Sequence, residues 1–413
     1  MLNLRWLSGF VVAMAATQAG ADTISCGGMK SYREVISCAE QNAPEILQLE
    51  ATSKAKKAHV DVATQWLNPE LALQSVSGTS QSDRKTETDV SLAFPIELGS
   101  KRSGRKQVAE ANSARSESEL LLAKSQVRKT AFLKLTRLRQ ILDEVELVEE
   151  SRETFTKLVR QYESRPARSP EQDVSLTVFK IAKSEYGLKR LEFDEELSDL
   201  ESYFKISTGL TLEDLKKVLP PKVAKWPALK AQGANPVKSP TLAMLEAEVN
   251  AAHGELRQAQ GDSWPTLLLG PSAKFSEEAG ENLQQWGFNL SFPLPVFNTN
   301  GAGRSAAKLA AQSAEQRKSI GIQQLELQRA SLEKTYKKSV FAFESAPGGK
   351  DLEQKHKTVE GLFMRGLVSS SLVIEAHRSL VEFEKIRNER ELRAMEAFLE
   401  IQTLNGEKAE FDL

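Results

Sequence analysis

The sequence is written twice. Pro44 and Pro240 each open a helical stretch, and these stretches end at Asn68-Pro69-Glu70-Leu71 and Trp264-Pro265-Thr266-Leu267. Both proline pairs are 196 positions apart (240 − 44 and 265 − 69). Further along, Phe94-Pro95-Ile96 is answered by Phe292-Pro293-Leu294 at a separation of 198, and Gly104-Arg105 by Gly303-Arg304 at 199. The order is kept with three residues of drift (199 − 196), so most of the chain is one unit used twice. Whatever one half folds into, the other must fold into a variant of it.

Each half reads as a helix, two strands, and two very long helices. From Lys101 to about Arg160 there is no proline and only one glycine, Gly104. The apolar positions Ala131, Leu135, Leu138, Leu142 and Val145 recur in alternating steps of four and three, the spacing of a coiled-coil seam. A helix of that length reaches roughly 90 Å. A return arm, Val174 to Ile206, carries Val178, Ala182, Leu197, Leu200 and Phe204 at similar spacing. Ser305 to Phe343 and Leu372 to Leu404 take the same parts in the second half, with a break at Ser345-Ala346-Pro347-Gly348-Gly349. An apolar stripe on such a helix is core and the charges opposite are solvated, so the rods are scaffold.

Between the helices lie segments of period two. Val90, Leu92 and Phe94 alternate with Ser91 and Ala93, and Trp286, Phe288, Leu290 and Phe292 alternate with Gly287, Asn289 and Ser291. Their partners are Leu71 to Ser77 and Leu267 to Phe275, and Ser77 to Glu87 and Ser276 to Asn282 have the composition of exposed turns. A soluble sheet packed on a helix layer shows such alternation, and so does a membrane strand with lipid on one side and water on the other. The aromatic residues favour the second reading, with Val90, Leu92, Phe94, Trp286, Phe288, Leu290 and Phe292 as the lipid face. Four strands cannot close a barrel, so copies must combine, and three copies supply twelve strands.

At the N-terminus, Arg5 precedes an apolar stretch, Trp6 to Ala16, too short to span a bilayer, and Ala19-Gly20-Ala21 supplies small residues for cleavage. Residues 1–21 are read as a signal peptide, with Asp22 as the mature start. Export brings Cys26 and Cys38, the only cysteines, into an oxidising compartment, where they can form a short disulfide loop; a lipid anchor on Cys26 is the rival reading. No later run of apolar residues is long enough for a helical membrane span, and mean hydropathy is −0.38. A formal charge of −1 offers nucleic acid no general attraction.

Chemical motifs are weak. Gly301-Ala302-Gly303-Arg304-Ser305-Ala306 has the letters of a dinucleotide fingerprint but is followed by helix where a second strand is required. Gly99-Ser100-Lys101-Arg102-Ser103-Gly104-Arg105-Lys106 lacks the Lys-Ser/Thr pair of a phosphate loop. Both are read as flexible strand-to-helix exits. His59, His253, His356 and His377 stand singly, outside metal-ligand spacing. No catalytic residue, metal ligand or cofactor is assigned, and the chain is not expected to be an enzyme.

The duplicated halves, the proline-terminated helix before each hairpin, and the motifs Phe94-Pro95-Ile96-Glu97-Leu98-Gly99-Ser100-Lys101-Arg102 and Phe292-Pro293-Leu294-Pro295-Val296-Phe297-Asn298 resemble the outer-membrane efflux protein family, the TolC-like ducts. The first motif is most similar to the heavy-metal cation efflux branch, the CzcC-like proteins. The resemblance implies a mainly α fold with a small β part: long helical coiled-coil hairpins and four transmembrane strands per chain, assembled as a homotrimeric α/β barrel. It implies an outer-membrane location with the helices in the periplasm, a periplasmic membrane-fusion adaptor, an inner-membrane pump of RND or ABC type, and passive exit of small solutes such as heavy-metal cations or drugs. A protein-secretion exit and a periplasmic coiled-coil adaptor or scaffold are the alternatives. The expected division is 22–207 and 239–404 for the repeats, 208–238 for an equatorial linker and 405–413 for a tail, with the Ser345 to Lys350 break joining the belt. Adaptor docking is expected at the helical tips, Arg365, Gly366, Leu367 and Ser369 in the second half and Arg165 and Ser169 in the first, where Gly366 suits a tight turn and Ser369 or Ser370 a helix cap. Glu375 and Asp173 are candidate pore-entrance carboxylates. The plain reading of Glu375 is a surface residue paired with His377 or Arg378.

Overall fold

The structure, a computed structural model, describes residues 26–80, 83–229, 239–278 and 281–411. The leader expected at 1–21 and residues 230–238 of the expected linker lie outside these. The chain runs through α1 (Tyr32–Asn42), α2 (Pro44–Thr64), β1 (Glu70–Ser80), β2 (Asp83–Glu97), α3 (Lys101–Glu163), α4 (Pro170–Thr208), α5 (Leu212–Lys216), α6 (Pro240–Gly261), β3 (Thr266–Glu278), β4 (Glu281–Ser291), α7 (Gly301–Ser345), α8 (Gly349–Met364) and α9 (Ser370–Leu404). The doubled plan is present: α2-β1-β2-α3-α4 is repeated as α6-β3-β4-α7-α8-α9.

Local chemistry repeats with it. Pro44 and Pro240 occupy the first helical position of α2 and α6, where the missing N–H costs nothing and the fixed φ suits a helix. Both long rods begin just after a non-glycine residue in the left-handed region, Ser100 (φ 67) and Asn300 (φ 53), 200 positions apart (300 − 100). These exits are defined turns rather than the flexible segments expected. Asn300 is held by its backbone N–H on Asn298 Oδ1 (2.8 Å) and by its side chain on the Ala259 carbonyl (2.9 Å). The fingerprint-like glycines Gly301 and Gly303 are simply the first turn of α7.

At 63 residues, α3 spans about 95 Å. A rod of that length is held by what packs along it rather than by propensity. Near its start α3 lies against α6 at backbone distance: a Cβ built on Gly104 would come within 2.7 Å of the Gln258 nitrogen, and one on Gly254 within 2.9 Å of the Val108 nitrogen. Halfway along, Phe132, Leu135, Leu138 and Ile141 enter the main core with Leu200 and Phe204 of α4 and Met395 and Leu399 of α9. A belt closes over this core from outside. Here α1, α5, the segment after α5 and the C-terminal tail converge, and Phe411 stacks on Phe132 while Trp226 meets Tyr336, Phe343 and Phe411 edge-on. Tyr336 donates to the Pro227 carbonyl at 2.6 Å, and Arg139 donates to the carbonyls of Pro220 and Pro221, so the proline-rich segment is pinned by its unpaired oxygens. A second core lies toward the far end, with Val148, Phe155 and Leu158 of α3, Phe179, Ala182 and Tyr186 of α4, and Val373 and Val381 of α9.

Cys26 and Cys38 are joined in a disulfide inside the belt core, and Cys26 is only 1% exposed. This position is level with Ala131, thirty residues into α3 and so about 45 Å from the strands. Of the two readings of Cys26, the structure has the disulfide.

The four strands form one antiparallel sheet in the order β1-β2-β3-β4, so the two halves meet through β2 and β3. The strands are longer than sequence reasoning allowed. Of the segments expected as turns, Ser77 to Ser80 with Asp83 to Glu87 and Ser276 to Glu278 with Glu281 to Asn282 are strand, since β1 and β2 pair out to Ser80 and Asp83, and β3 and β4 out to Glu278 and Glu281; residues 81–82 and 279–280 lie outside the described residues. Polar composition suggested turns, but cross-strand partners such as Ser75 with Thr88 (3.2 Å between hydroxyls) and Glu87 with Lys274 (2.8 Å) continue the ladder. At the other end β4 stops at Ser291, so Phe292 lies one residue beyond the strand in which it was expected.

Candidate functional site: the bare sheet and the helical tips

Register sorts the sheet into two unlike faces. Residues directly opposite share a face, so Leu73 pairs with Val90, Val90 with Ala273 and Ala273 with Trp286; Leu269 pairs with Phe94 and Leu290. The same parity puts Leu71, Leu92, Ile96, Leu267, Phe275 and Phe288 on that apolar face. The other face carries the row Gln74, Asp89, Lys274 and Gln285, with the row Ala72, Ser91, Ser272 and Gly287 on one side of it and Glu87 on the other. Among the described residues no helix packs on either face. Every residue of β4 is exposed, Trp286 at 78% and Phe288 at 68%. A soluble sheet resting on helices is therefore not what the chain builds. Val90, Leu92, Phe94, Trp286, Phe288 and Leu290 all belong to one continuous apolar surface.

Aromatic residues mark both ends of that surface. Phe275 and Trp286 stand toward the hairpin turns, and Trp66 and Trp264, both exposed, at the helical end. Trp264 to Phe275 is eleven residues, about 36 Å along a strand and some 27 Å in height at a tilt of roughly 40°. The helical end is clamped by charge. Arg105 grips Glu97 through two hydrogen bonds (2.5 and 2.8 Å), Lys101 reaches Thr266 Oγ1 (3.3 Å), and Arg102 lies over the Trp66 ring (4.3 Å) while donating to the Thr64 carbonyl (2.6 Å).

The far ends of the rods form two turns of different construction. Between α8 and α9, Gly366 takes φ +71 with open space around its Cα, a conformation that disfavours any side chain. Leu367 is exposed there, and Arg365 donates to the Gly361 carbonyl. Ser369 stands at the N-cap position of α9 but makes no capping bond; its hydroxyl pairs with Ser371 Oγ (2.9 Å) instead, so the expected Ser369 cap is absent. Between α3 and α4 side chains replace glycine. Ser169 forms a reciprocal capping box with Gln172, Arg165 lies over the Tyr162 ring, and Arg168 bonds Asp173 Oδ1 (2.7 Å) and the Tyr162 carbonyl. At the tip Lys180 holds the Glu163 carboxyl below its ordinary range.

Glu375 is exposed and lies 3.6 Å from Arg378 and 3.4 Å from Ser379 Oγ. Arg378 bonds Glu185 of α4 at 3.0 Å, and that bond raises its pKa. His377 is no partner of Glu375, because it points to the opposite side of α9. It is buried, with Nδ1 2.9 Å from Ser151 Oγ and Nε2 3.0 Å from Glu360 of α8.

This histidine belongs to a feature that sequence reasoning missed. Along α9, His377, Val381, Glu384, Asn388, Glu391, Met395 and Phe398 recur in steps of four and three and all are buried. The spacing was visible; the polar residues hid it, because an apolar stripe was sought. Facing them, Arg139 donates two bonds to Glu391 (both 2.7 Å), Gln140 donates to Glu391 and to the Asn388 carbonyl, and Asn388 donates to Glu144. Arg137 bonds both Glu144 and Glu196. Burial works against its charge, but those two carboxylates prevail and raise its pKa. Burial drives Glu384 the other way, above the usual carboxylate range, with Arg387 opposing.

Among the described residues two apolar heptad faces have no partner within the chain. Val174, Ile181 and Leu188 on α4 are spaced by sevens, as are Ile320 and Leu327 on α7, with Phe341 fourteen further on, and all six are exposed. Strict sevens are the period of a supercoiled contact. Among the described residues no group of three or more His, Cys, Asp or Glu side chains is placed to hold a metal ion, and no helix is long and apolar enough to cross a membrane.

A sheet bare on both faces, standing on rods of about 95 Å, is the fold of outer-membrane channels. The chain superposes on the CmeC outer membrane channel of Campylobacter jejuni with a TM-score of 0.71 at 13% identity, covering 92% of this chain and 87% of that one. VceC, an outer membrane protein of Vibrio cholerae, gives 0.70 at 15% identity over 92% and 97%. The open state of the MtrE outer membrane channel of Neisseria gonorrhoeae gives 0.63 at 12% identity over 93% and 90%. No protein-family model and no curated protein matches the sequence. The likeness is one of fold, along nearly the whole of each chain, and it bears out the mainly α chain with a small antiparallel sheet that the sequence resemblance implied.

Proposed function

We propose that the chain is one subunit of an outer-membrane exit duct. The observation that carries this reading is the sheet: an apolar surface spanning four strands in register, uncovered by any helix, with polar residues behind it. Lipid tolerates strands only where they close into a barrel. Four strands with two free edges, β1 and β4, close by joining copies, and three copies give the twelve strands of a tube wide enough for solutes. The unpartnered heptad faces of α4 and α7 support the same assembly, since each supplies one half of a helix-to-helix seam between neighbours.

In this reading residues 1–21 are removed on export, the barrel stands in the outer membrane, and the rods descend into the periplasm. The tips around Arg365, Gly366, Leu367 and Ser369, and around Arg165 and Ser169, receive a periplasmic adaptor that links the duct to an inner-membrane pump. Glu375 and Asp173, repeated threefold near the tips, favour cations at the entrance. The work is transport without catalysis. Small solutes, among them heavy-metal cations or drugs, are the cargo this reading assigns.

The test is membrane assembly. Aspartate at both Phe288 and Leu290 should abolish outer-membrane insertion and heat-resistant trimers, since a charge on a lipid face is destabilising, by about 2–4 kcal/mol for Arg or Lys near mid-membrane and by less for each Asp. Aspartate at Gln285 and Asn289, on the opposite face of the same strand, should leave both intact. Equal tolerance of the two pairs would sink the proposal. Metal and drug sensitivity of a deletion strain then identifies the cargo.

A further inference from the structure

The polar face of the sheet carries a charge pattern that its register fixes. Lys274 on β3 stands directly opposite Asp89 on β2 and Gln285 on β4, and Gln74 on β1 completes the row. Lys274 Nζ donates to Glu87 Oε2 at 2.8 Å, and Lys85 approaches the other Glu87 oxygen at 3.2 Å. One row nearer the helices the polar face has only Ala72, Ser91, Ser272 and Gly287. Among the described residues, Lys274 stands opposite Asp89 and bonds Glu87, so with Lys85 it sets two cations against these two acids. The row sits one residue nearer the hairpin turns than Trp286, at the hairpin end of the apolar surface.

We infer that Lys274 sets the sign of the electrostatic field in the lumen near the barrel's outer mouth, forming with Asp89 and Glu87 a charge-compensated collar that passes solutes of either sign. The inference rests on the barrel reading above, because only closure puts this face around water. Three copies then place three Lys274, three Asp89 and three Glu87 in one narrow zone. Neighbouring strands keep opposed side chains within about 5 Å, well inside the roughly 8 Å over which salt screens a charge. With Lys85 on the other oxygen of Glu87, each Lys274 therefore brings the two acids beside it close to neutrality. Without it, six carboxylates would face three Lys85, and the net negative charge would draw cations while repelling anions. Discrimination by charge would then belong to the mouth, whereas in the native collar it is left to the opposite end of the duct.

The field can be read directly with cysteines, because both native cysteines are spent on one disulfide. Gln285→Cys, in the collar row, is labelled in intact outer membranes with a cationic and an anionic methanethiosulfonate on the same preparation, and the ratio of the two rates is compared with that of a small free thiol. The ratio is independent of how much protein assembles. With the native collar it should lie within about threefold of the free-thiol value, and Lys274→Gln should raise it about fivefold toward the cationic reagent, the effect of losing one screened charge at about 7 Å. Lys274→Arg should restore the native ratio, and Glu87→Gln with Asp89→Asn should shift it toward the anionic reagent. Should Gln285→Cys react while Leu290→Cys does not, yet none of the charge substitutions move the ratio, the collar is wrong and the barrel stands. If Leu290→Cys reacts as fast as Gln285→Cys with both water-soluble reagents, the barrel fails and the collar with it.

Discussion

The two halves build rods of nearly equal length by different means. In the first half α3 is a single helix of 63 residues; in the second, α7 and α8 contribute 45 and 16 residues with Ala346, Pro347 and Gly348 between them. The first hairpin, α3 with α4, is packed at its far end through Phe155, Phe179 and Tyr186. The second is jointed, and α8 reaches the rest of the bundle through Phe363 on Phe179 and through Glu360, which meets His377 and Thr154 Oγ1 (3.3 Å). The return arms differ too. The buried seam of α9 is polar at its centre, where that of α4 has Leu197, Leu200 and Phe204. A duplicated unit has thus become one stiff hairpin and one hinged hairpin, the hinged one positioned by buried charge. Polar residues at seam positions specify register at a cost in stability.

The comparison breaks most severely at the buried pair. Glu391→Leu leaves Arg139 without its carboxylate in a dry seam and should destabilise the protein by about 3–5 kcal/mol. Thermal unfolding in detergent measures it. Adding Arg139→Met should recover most of that loss, because a buried pair replaced by apolar side chains is often neutral. A double variant as unstable as the single one would mean that the belt carbonyls of Pro220 and Pro221, also bonded by Arg139, matter more than the pair.

Next in size is a contrast between equivalent glycines. Gly104→Val drives a side chain into the backbone of α6, where nothing can move aside, and overpacking there should cost about 1–3 kcal/mol or more. At Gly303, its counterpart in the other half, an added Cβ meets only the Asn300 side chain. Gly303→Val should therefore cost under about 1 kcal/mol, within the range of exposed helix substitutions. Equal effects would show that the halves are packed more alike than the structure indicates.

How far the sequence disclosed this arrangement follows from which signals were local. The repeat, the prolines that open α2 and α6, the α3 seam and the α8–α9 glycine turn were legible, because each depends on spacing or on one backbone conformation. Strand length was not, since Ser77, Gly78 and Ser80 look like turn residues until a partner strand is present. The polar seam of α9 was hidden for a related reason: Glu384, Asn388 and Glu391 are credible in a core only once Arg139, Gln140 and Glu144 are known to face them. Pairing across more than two hundred residues leaves no mark in a one-dimensional pattern.

The hinge itself gives a smaller effect on stability and a larger one on motion. Glu360→Gln weakens the tie from α8 to His377 and should lower overall stability by about 1 kcal/mol. Hydrogen exchange in α8 should quicken severalfold while α3 and α4 keep their protection, because an element held by few contacts opens locally. Uniform protection across both hairpins would mean that α8 is held by its apolar side, through Phe363 and Val359.

The smallest effect has the opposite sign. Glu384 is buried in the α9 seam with its pKa raised by desolvation, and Arg387, 3.6 Å away, offsets this only in part. A carboxyl whose folded pKa is raised takes up a proton more readily in the folded state than in the unfolded one. Its contribution to stability is therefore fully present below the unfolded value of 4.5 and is lost as pH rises through the folded value. At neutral pH the charged form is a net cost, so Glu384→Gln should stabilise the protein slightly, by less than about 1 kcal/mol. The gain should shrink toward zero as pH falls into the ordinary carboxylate range. Unfolding midpoints measured from pH 4 to pH 8 for both proteins distinguish the outcomes. A constant offset would show that the amide gains a hydrogen bond, and a loss at neutral pH would show that Arg387 and Lys222 make the charge an asset.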